Sequence, residues 1–127
     1  MKNSRYIQKL KGDASYRKFF RKKNKNKTSI IVFARKEKEK NLLIYDSINR
    51  ILNKNDVLAP KLYHENYHKN SIEIQDFGND TIYKIFTKNH ENTFKYFKQI
   101  IKVLIKIQSI KERSIKNFKK KKYVIPK

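Results

Sequence analysis

Three short stretches carry side chains whose types and spacing could do chemistry. Gly12-Asp13-Ala14-Ser15 is a small-residue turn that runs straight into the basic, aromatic segment Tyr16-Arg17-Lys18-Phe19-Phe20-Arg21. A loop that covers a polyphosphate needs small residues, because backbone N–H groups must approach the phosphate oxygens. One glycine followed by Ala and Ser is a minimal form of that pattern, and a plain hairpin turn uses the same residues. A plain turn would give Tyr16, Phe19 and Phe20 to packing, and Arg17, Lys18 and Arg21 to solvent. The second stretch is Ser71-Ile72-Glu73-Ile74-Gln75-Asp76-Phe77-Gly78. An apolar strand that ends in an acid, an aromatic and a glycine can act as a hinge, offering backbone N–H and C=O groups to the edge of a flat ring; an ordinary strand end with Gly78 as the turn residue is the plainer account. The third is His64-Glu65-Asn66-Tyr67-His68, which matches H-E-x-x-H. On a helix that spacing puts both imidazoles on one face with the glutamate as general base, and Glu91 could supply a third zinc ligand.

The elements that must position these residues follow from periodicity. Tyr6, Ile7 and Leu10 form a short apolar lead-in. Tyr16 to Lys22 alternates basic and aromatic residues and reads as a strand, and Asn24-Lys25-Asn26-Lys27 reads as a turn. Thr28 to Ala34 is a continuous β-branched and apolar run, which predicts a central strand buried on both faces. Residues 41–53 carry Leu42, Tyr45, Ile48, Ile51 and Leu52 at helical spacing. Lys61 to Tyr67 and Ser71 to Phe77 predict two strands around a His68-Lys69-Asn70 turn. On a strand, His64 and His68 would stand about 13 Å apart, too far for one zinc ion. Gly78-Asn79-Asp80-Thr81 offers a helix start, followed by a short amphipathic turn through Ile82, Tyr83, Ile85 and Phe86. A longer helix is predicted over 90–112, with Phe94, Phe97, Ile100, Ile101, Leu104 and Ile107 in one stripe. The expected architecture is α+β: a twisted antiparallel sheet of about five strands with one packed helix, followed by C-terminal helices.

The chain has 127 residues, no cysteine and a formal net charge of +22 from 33 basic and 11 acidic residues. That length suits one domain with a modest core. The lack of cysteine excludes a disulfide framework and a Cys-based zinc site, and fits a cytoplasmic location. No apolar run approaches the length of a membrane span, and no signal peptide is visible, so no membrane role is expected. The charge points to polyanions, including non-specific binding of RNA. Tyr16 to Lys27 and Lys119 to Lys122 would be the basic face of a nucleic-acid-binding module, with at most one of Phe19 and Phe20 on the same side as Tyr16. The chain is also rich in Lys, Asn and Ile and has only two glycines. Those favoured residues share A/T-rich codons, so a biased genome would supply the same lysines as a solvated surface.

Taken in order, the first two stretches give a family resemblance. The chain resembles the N-terminal part of the aminoglycoside phosphotransferase family, nearest to bacterial kinases that phosphorylate N-acetylmuramate and N-acetylglucosamine at the anomeric position during cell-wall recycling. The matching text is Gly-Asp-Ala-Ser-Tyr-Arg-Lys-Phe-Phe-Arg at 12–21 and Ser-Ile-Ile-Val-Phe-Ala at 29–34. It continues with the helix bearing Tyr45, Ile48 and Leu52, Ala59-Pro60-Lys61-Leu62, and Ile-Glu-Ile-Gln-Asp-Phe-Gly at 72–78. Asp76-Phe77-Gly78 differs in place from the metal-binding triplet of protein kinases, because no catalytic loop precedes it.

The resemblance implies a kinase-like N-lobe over 1–78 and post-hinge helices over 79–127. It implies ATP and magnesium as cofactors and a small sugar as acceptor. Gly12, Asp13, Ala14, Ser15, Tyr16 and Arg17 would lie over the phosphates, and Gln75, Asp76 and Phe77, up to Gly78, would line the adenine pocket. Many relatives place a phosphate-gripping lysine in the third strand; here Arg35 and Lys36, just beyond it, are the basic candidates. The family's His-Gly-Asp catalytic loop and later metal-binding aspartate have no counterpart, since Gly12 and Gly78 are the only glycines and neither follows a histidine. No catalytic residue and no metal ligand is therefore assigned in this chain. The magnesium ligands are expected outside it: the chain would be a fragment, a product of a split or decayed gene, or one half of a two-chain enzyme whose second chain supplies the C-lobe. The 94–107 stripe and the Tyr123–Ile125 segment would pack against that lobe, and an uncovered stripe predicts self-association.

Overall fold

The computed structural model describes residues 6–11, 16–35, 40–88, 90–116 and 122–124. Five strands form one antiparallel sheet: β1 (Tyr6–Lys9), β2 (Lys18–Asn24), β3 (Lys27–Phe33), β4 (Leu62–Asn66) and β5 (Ser71–Gln75). Their order is β1-β2-β3-β5-β4, so β3 is central. The helix α1 (Lys40–Lys54) connects β3 to β4 and covers one face. The α+β layer is thus the one expected from periodicity, with boundaries shifted by one or two residues.

The turns fall where the residues permit them. Lys25 has φ 50°, between the paired Asn24 and Lys27. Asn70 has φ 46° after a 3-10 turn over Tyr67–Lys69, and Asn66 Oδ1 accepts from the Lys69 N–H at the start of that turn. Asparagine tolerates the left-handed region better than most residues. At the end of α1, Asp56 takes φ 54° and the Val57 N–H reaches back to the Leu52 carbonyl at 2.9 Å, closing the helix. Asn53 then ties the departing chain to the helix: its Nδ2 donates to the Ala59 carbonyl and its Oδ1 accepts from the Ala59 N–H.

Strand alternation decides the core. Ile30 and Val32 of β3 and Ile72 and Ile74 of β5 point to the α1 side, where they bury Leu42 and Ala34. Leu10, Phe19, Tyr45, Leu62 and Tyr67 close the cluster. Each fully buried aliphatic side chain there contributes about 1.5–3 kcal/mol. The expectation that β3 would be buried on both faces is corrected. The α1 face is fully covered; on the other, Ser29 is buried but Ile31 and Phe33 are only half-buried, with Phe20 and Phe33 edge to face at 5.7 Å.

α1 also departs from its simple apolar stripe. Ile48 is exposed, whereas Asp46, Ser47 and Asn49 are buried. Beyond β5 come α2 (Ile82–Lys88) and α3 (Thr93–Ser109), joined by a 3-10 turn over His90–Asn92. A small antiparallel hairpin follows, β6 (Ser114–Lys116) with β7 (Lys122–Val124), pairing Ile115 with Tyr123. Periodicity missed this hairpin, because three-residue strands carry too few alternations to register.

Candidate functional site

The strand register places the start of β2, which follows the first stretch, and the end of β5, which opens the second, at opposite ends of the sheet. Lys18 pairs with Phe33 and Phe33 with Ser71, at the end where the chain enters β2. Lys22 pairs with Ser29 and Ser29 with Gln75, at the end where the chain leaves β5. The four residue steps from Lys18 to Lys22 separate these ends by about 13 Å.

At the entry end the expected phosphate loop, Gly12 to Ser15, lies outside the described residues, as does Lys36. Its flank is described. Tyr16 is exposed, and the Arg17 guanidinium stands 5.5 Å from the Tyr45 ring centroid, joining the start of β2 to α1. Arg17 shares its strand face with the core residue Phe19, so its charge lies on the α1 side of the sheet rather than in open solvent. Arg35 is exposed in the turn after β3, and the Ala34 N–H donates to the Asn70 carbonyl at the same end.

At the exit end, alternation separates Gln75 from Asp76. Gln75 pairs with Ser29 and belongs to the outer face; its N–H donates to the Lys61 carbonyl at 2.8 Å, and its Oε1 accepts weakly from the Lys61 N–H. Asp76 belongs to the α1 side, with its side chain only 4% exposed. Arg21 reaches it from β2: Nε to Oδ2 at 2.6 Å and Nη2 to Oδ1 at 3.0 Å. The same guanidinium donates to Asn79 Oδ1 at 2.7 Å and to the Gly78 carbonyl at 3.1 Å. The Gly78 N–H in turn donates to Asp76 Oδ1 at 2.8 Å, and Gly78 takes φ +85°. A Cβ there would meet open space, so the backbone angle, not room, asks for glycine. Phe77 is half exposed beside this clasp.

Solvent was the turn-based expectation for Arg21, and that is corrected: it is the clasp holding residues 76–79 beneath β2. A fork-shaped guanidinium meets a carboxylate with two parallel bonds, which fixes orientation as well as charge. The signal was present in the sequence, since Arg21 shares the face of Phe19 and an arginine on a core face requires an acid. Burial pushes the Asp76 carboxyl up, but hydrogen bonds from Arg21, the Gly78 N–H and Thr28, with the Arg21 charge, hold it below the usual carboxylate range. On the outer face burial likewise raises Glu73, and the Ser29 hydroxyl and Lys22 outweigh it and draw it below its ordinary value. Asp46 moves the other way: burial lifts it, and the Arg50 hydrogen bond at 2.8 Å offsets only part. Nearby, burial together with the charges of Asp46 and Glu65 raises the Tyr67 phenol, whose hydroxyl has no hydrogen-bond partner among the described residues.

The H-E-x-x-H stretch does not form a helix. His64 lies in β4 opposite Glu73, Glu65 lies opposite Ile72, and His68 sits in the 3-10 turn. Histidine and glutamate therefore face opposite sides of the sheet. No group of three metal-ligating side chains occurs among the described residues. Among them, too, no helix is long and apolar enough to cross a membrane.

Comparison of the chain with protein-family models, with curated proteins and with solved structures finds no match.

Proposed function

We propose that this chain is the nucleotide-binding part of an aminoglycoside-phosphotransferase-like sugar kinase, with the catalytic and magnesium-binding carboxylates supplied from outside these residues. One observation carries this. A basic entry end (Arg17, Arg35) and a clasped exit segment (residues 76–79) sit at the two ends of one short strand, and Arg17 and Asp76 share its α1-side face. By the same register Asp76 falls level with Lys23, six residues beyond Arg17 and about 20 Å along the strand, a span that an extended nucleoside triphosphate would cover together with the reach of the Arg17 side chain, base toward 76–78 and phosphates toward Arg17. ATP when bound would supply the transferable phosphoryl group. The chain's own residues would orient it. Arg17 and Arg35 bring positive charge to the phosphate end, where a third-strand lysine is missing. The Arg21–Asp76 pair fixes the backbone of 76–78 against which the base edge would lie, so Asp76 serves by shape, its oxygens being already engaged. Gln75 would contribute only through its carbonyl, because its N–H is held by the Lys61 carbonyl and its side chain belongs to the outer face.

Titration with MgATP tests this by calorimetry and by thermal unfolding. The expected result is a saturable stabilisation that grows logarithmically above Kd and weakens with Arg17→Ala. Equal stabilisation by inorganic tripolyphosphate, unchanged in Arg17→Ala, would mean charge attraction alone and end the proposal. A second reading, a nucleic-acid-binding module, is favoured by the outer sheet face, where the Phe20–Phe33 pair stands beside Lys18 and Lys22. Its mark is affinity for single-stranded RNA that falls steeply with salt and with Phe33→Ala.

A further inference from the structure

α3 raises a separate question, because none of its residues is buried. Its apolar side chains wrap more than half of the helix. Tyr96, Ile100, Val103 and Leu104 turn toward Ile82, Ile85 and Phe86 of α2, with Phe86 and Phe97 ring centroids 5.1 Å apart. Between the two helices lies an apolar groove of about 410 Å³. Leu104 on its α3 wall is half exposed, and on the rest of the apolar surface of α3, outside the groove, Phe94 is 72% exposed and Phe97, Ile101 and Ile105 are each half exposed or more. The sheet does not cover this face. The described ties from α3 and the residues just past it to the core lie at its C-terminal end. There Lys106 Nζ donates to the Asp56 carbonyl at 3.2 Å, and Glu112 accepts from Lys54 and Asn55.

The surroundings of the groove are one-signed. Lys84, Lys88, Lys95, Lys98, Lys102 and Lys106 belong to its two helices, and Glu91 is the one acid over residues 81–109. Lys98 Nζ lies 4.5 Å over the Phe94 ring, at the border of the strip. A second copy of a chain with net charge +22 would bring like charge to like. A flat bilayer would meet the ridge of α3 and leave the concavity unfilled. A helix filling a groove, with carboxylates along its flanks, satisfies shape and charge together.

We infer that the α2–α3 groove is a docking site for a partner protein that presents an amphipathic α-helix with an apolar stripe bordered by Asp and Glu. The inference rests on α2 and α3 alone and stands or falls separately from nucleotide binding. The probe is a labelled, pre-stapled helical peptide with Leu at i, i+3, i+4 and i+7 and Glu at the flanking positions, titrated into the full chain by fluorescence anisotropy. Controls are the same peptide with Lys flanks, a Glu-matched scramble, and vesicles of phosphatidylcholine with phosphatidylglycerol. The Glu-flanked helix should bind at least about tenfold more tightly than either peptide control, and Leu104→Glu should abolish binding. Leu104 is half exposed, so that variant should keep its far-ultraviolet circular dichroism, and Gln108→Glu, on the same helix but outside the groove lining, controls for charge alone. Equal binding of the scramble, indifference to Leu104→Glu, or absence of binding overturns the inference. So does vesicle binding that Leu104→Glu removes while the Glu-flanked helix stays unbound, or a self-dimer that occupies the groove.

Discussion

Two aspartates with opposite environments show how single residues set the behaviour of this fold. Asp76 is nearly sealed from water but meets a bidentate Arg21 and the Gly78 N–H. Its carboxyl is held below the ordinary range, so the native state prefers it ionised. That preference stabilises the fold at pH values above the unfolded carboxyl's range and is lost as pH falls through the lower, folded value. Arg21→Ala leaves the carboxylate without its main partner and should cost about 2 kcal/mol at neutral pH. Asp76→Asn should cost a similar amount and flatten the acid limb of stability against pH, read from urea midpoints at a series of pH values. Asp46 has its carboxyl raised, chiefly by burial. The folded state therefore holds its proton longer than the unfolded chain, and this group's contribution weakens as pH rises through the folded value. Asp46→Asn should accordingly be far milder at neutral pH than Asp76→Asn; a larger loss at Asp46 would show that the Arg50 pair outweighs burial. Of these residues, Asp76 was legible in the sequence as the acid at a strand end. Arg21 was visible only through its alternation with Phe19, and Asp46 only as an i,i+4 partner of Arg50 within an apolar stripe.

At the scale of elements, periodicity announced helices without saying what covers them. Leu42 and Ile101 occupy equivalent places in two apolar stripes, yet Leu42 is fully buried under the sheet and Ile101 is half exposed. Leu42→Ala should cost about 2–5 kcal/mol, through lost burial and the cavity it leaves. Ile101→Ala should change the unfolding free energy by no more than about 0.5 kcal/mol, as surface substitutions do. Chemical denaturation of both variants, with m-values compared, checks the contrast; a large loss at Ile101 would mean that α3 packs on the core in solution. The sheet itself was readable, because alternation and the turns at Asn24-Lys27 and Asn70 are strong local signals. The burial of Ser47 and Asn49 on α1 was not, since it depends on which way the helix rolls when Leu42 and Ile51 seat. The clasp across the sheet was equally hidden: Arg21 and Asp76 are brought together only by the crossover that sets β3 between β2 and β5.

The molecule as a whole carries +22 on 127 residues, and its described ion pairs engage few of its cations. Compact folding brings those charges together, so self-repulsion opposes the native state, and salt screens it over a Debye length of about 10 Å at 0.1 M. The Arg21–Asp76 pair is sheltered and loses little to the same screening. Thermal midpoints should therefore rise as sodium chloride goes from about 20 to about 300 mM, the reverse of what a fold held by surface ion pairs would show. Lysine contacts to RNA phosphates release counterions, so RNA affinity should fall by orders of magnitude over a comparable span. A nucleotide held at both ends of β2, as proposed, would make fewer ionic contacts and should lose much less. Measuring stability, RNA affinity and MgATP affinity across one salt series separates the three uses of this charge. If MgATP affinity falls as steeply as RNA affinity, the nucleotide is held by the field of the lysines and not by the arrangement of Arg17 and the clasped segment. The basic character is then the functional property, and the sheet only its support.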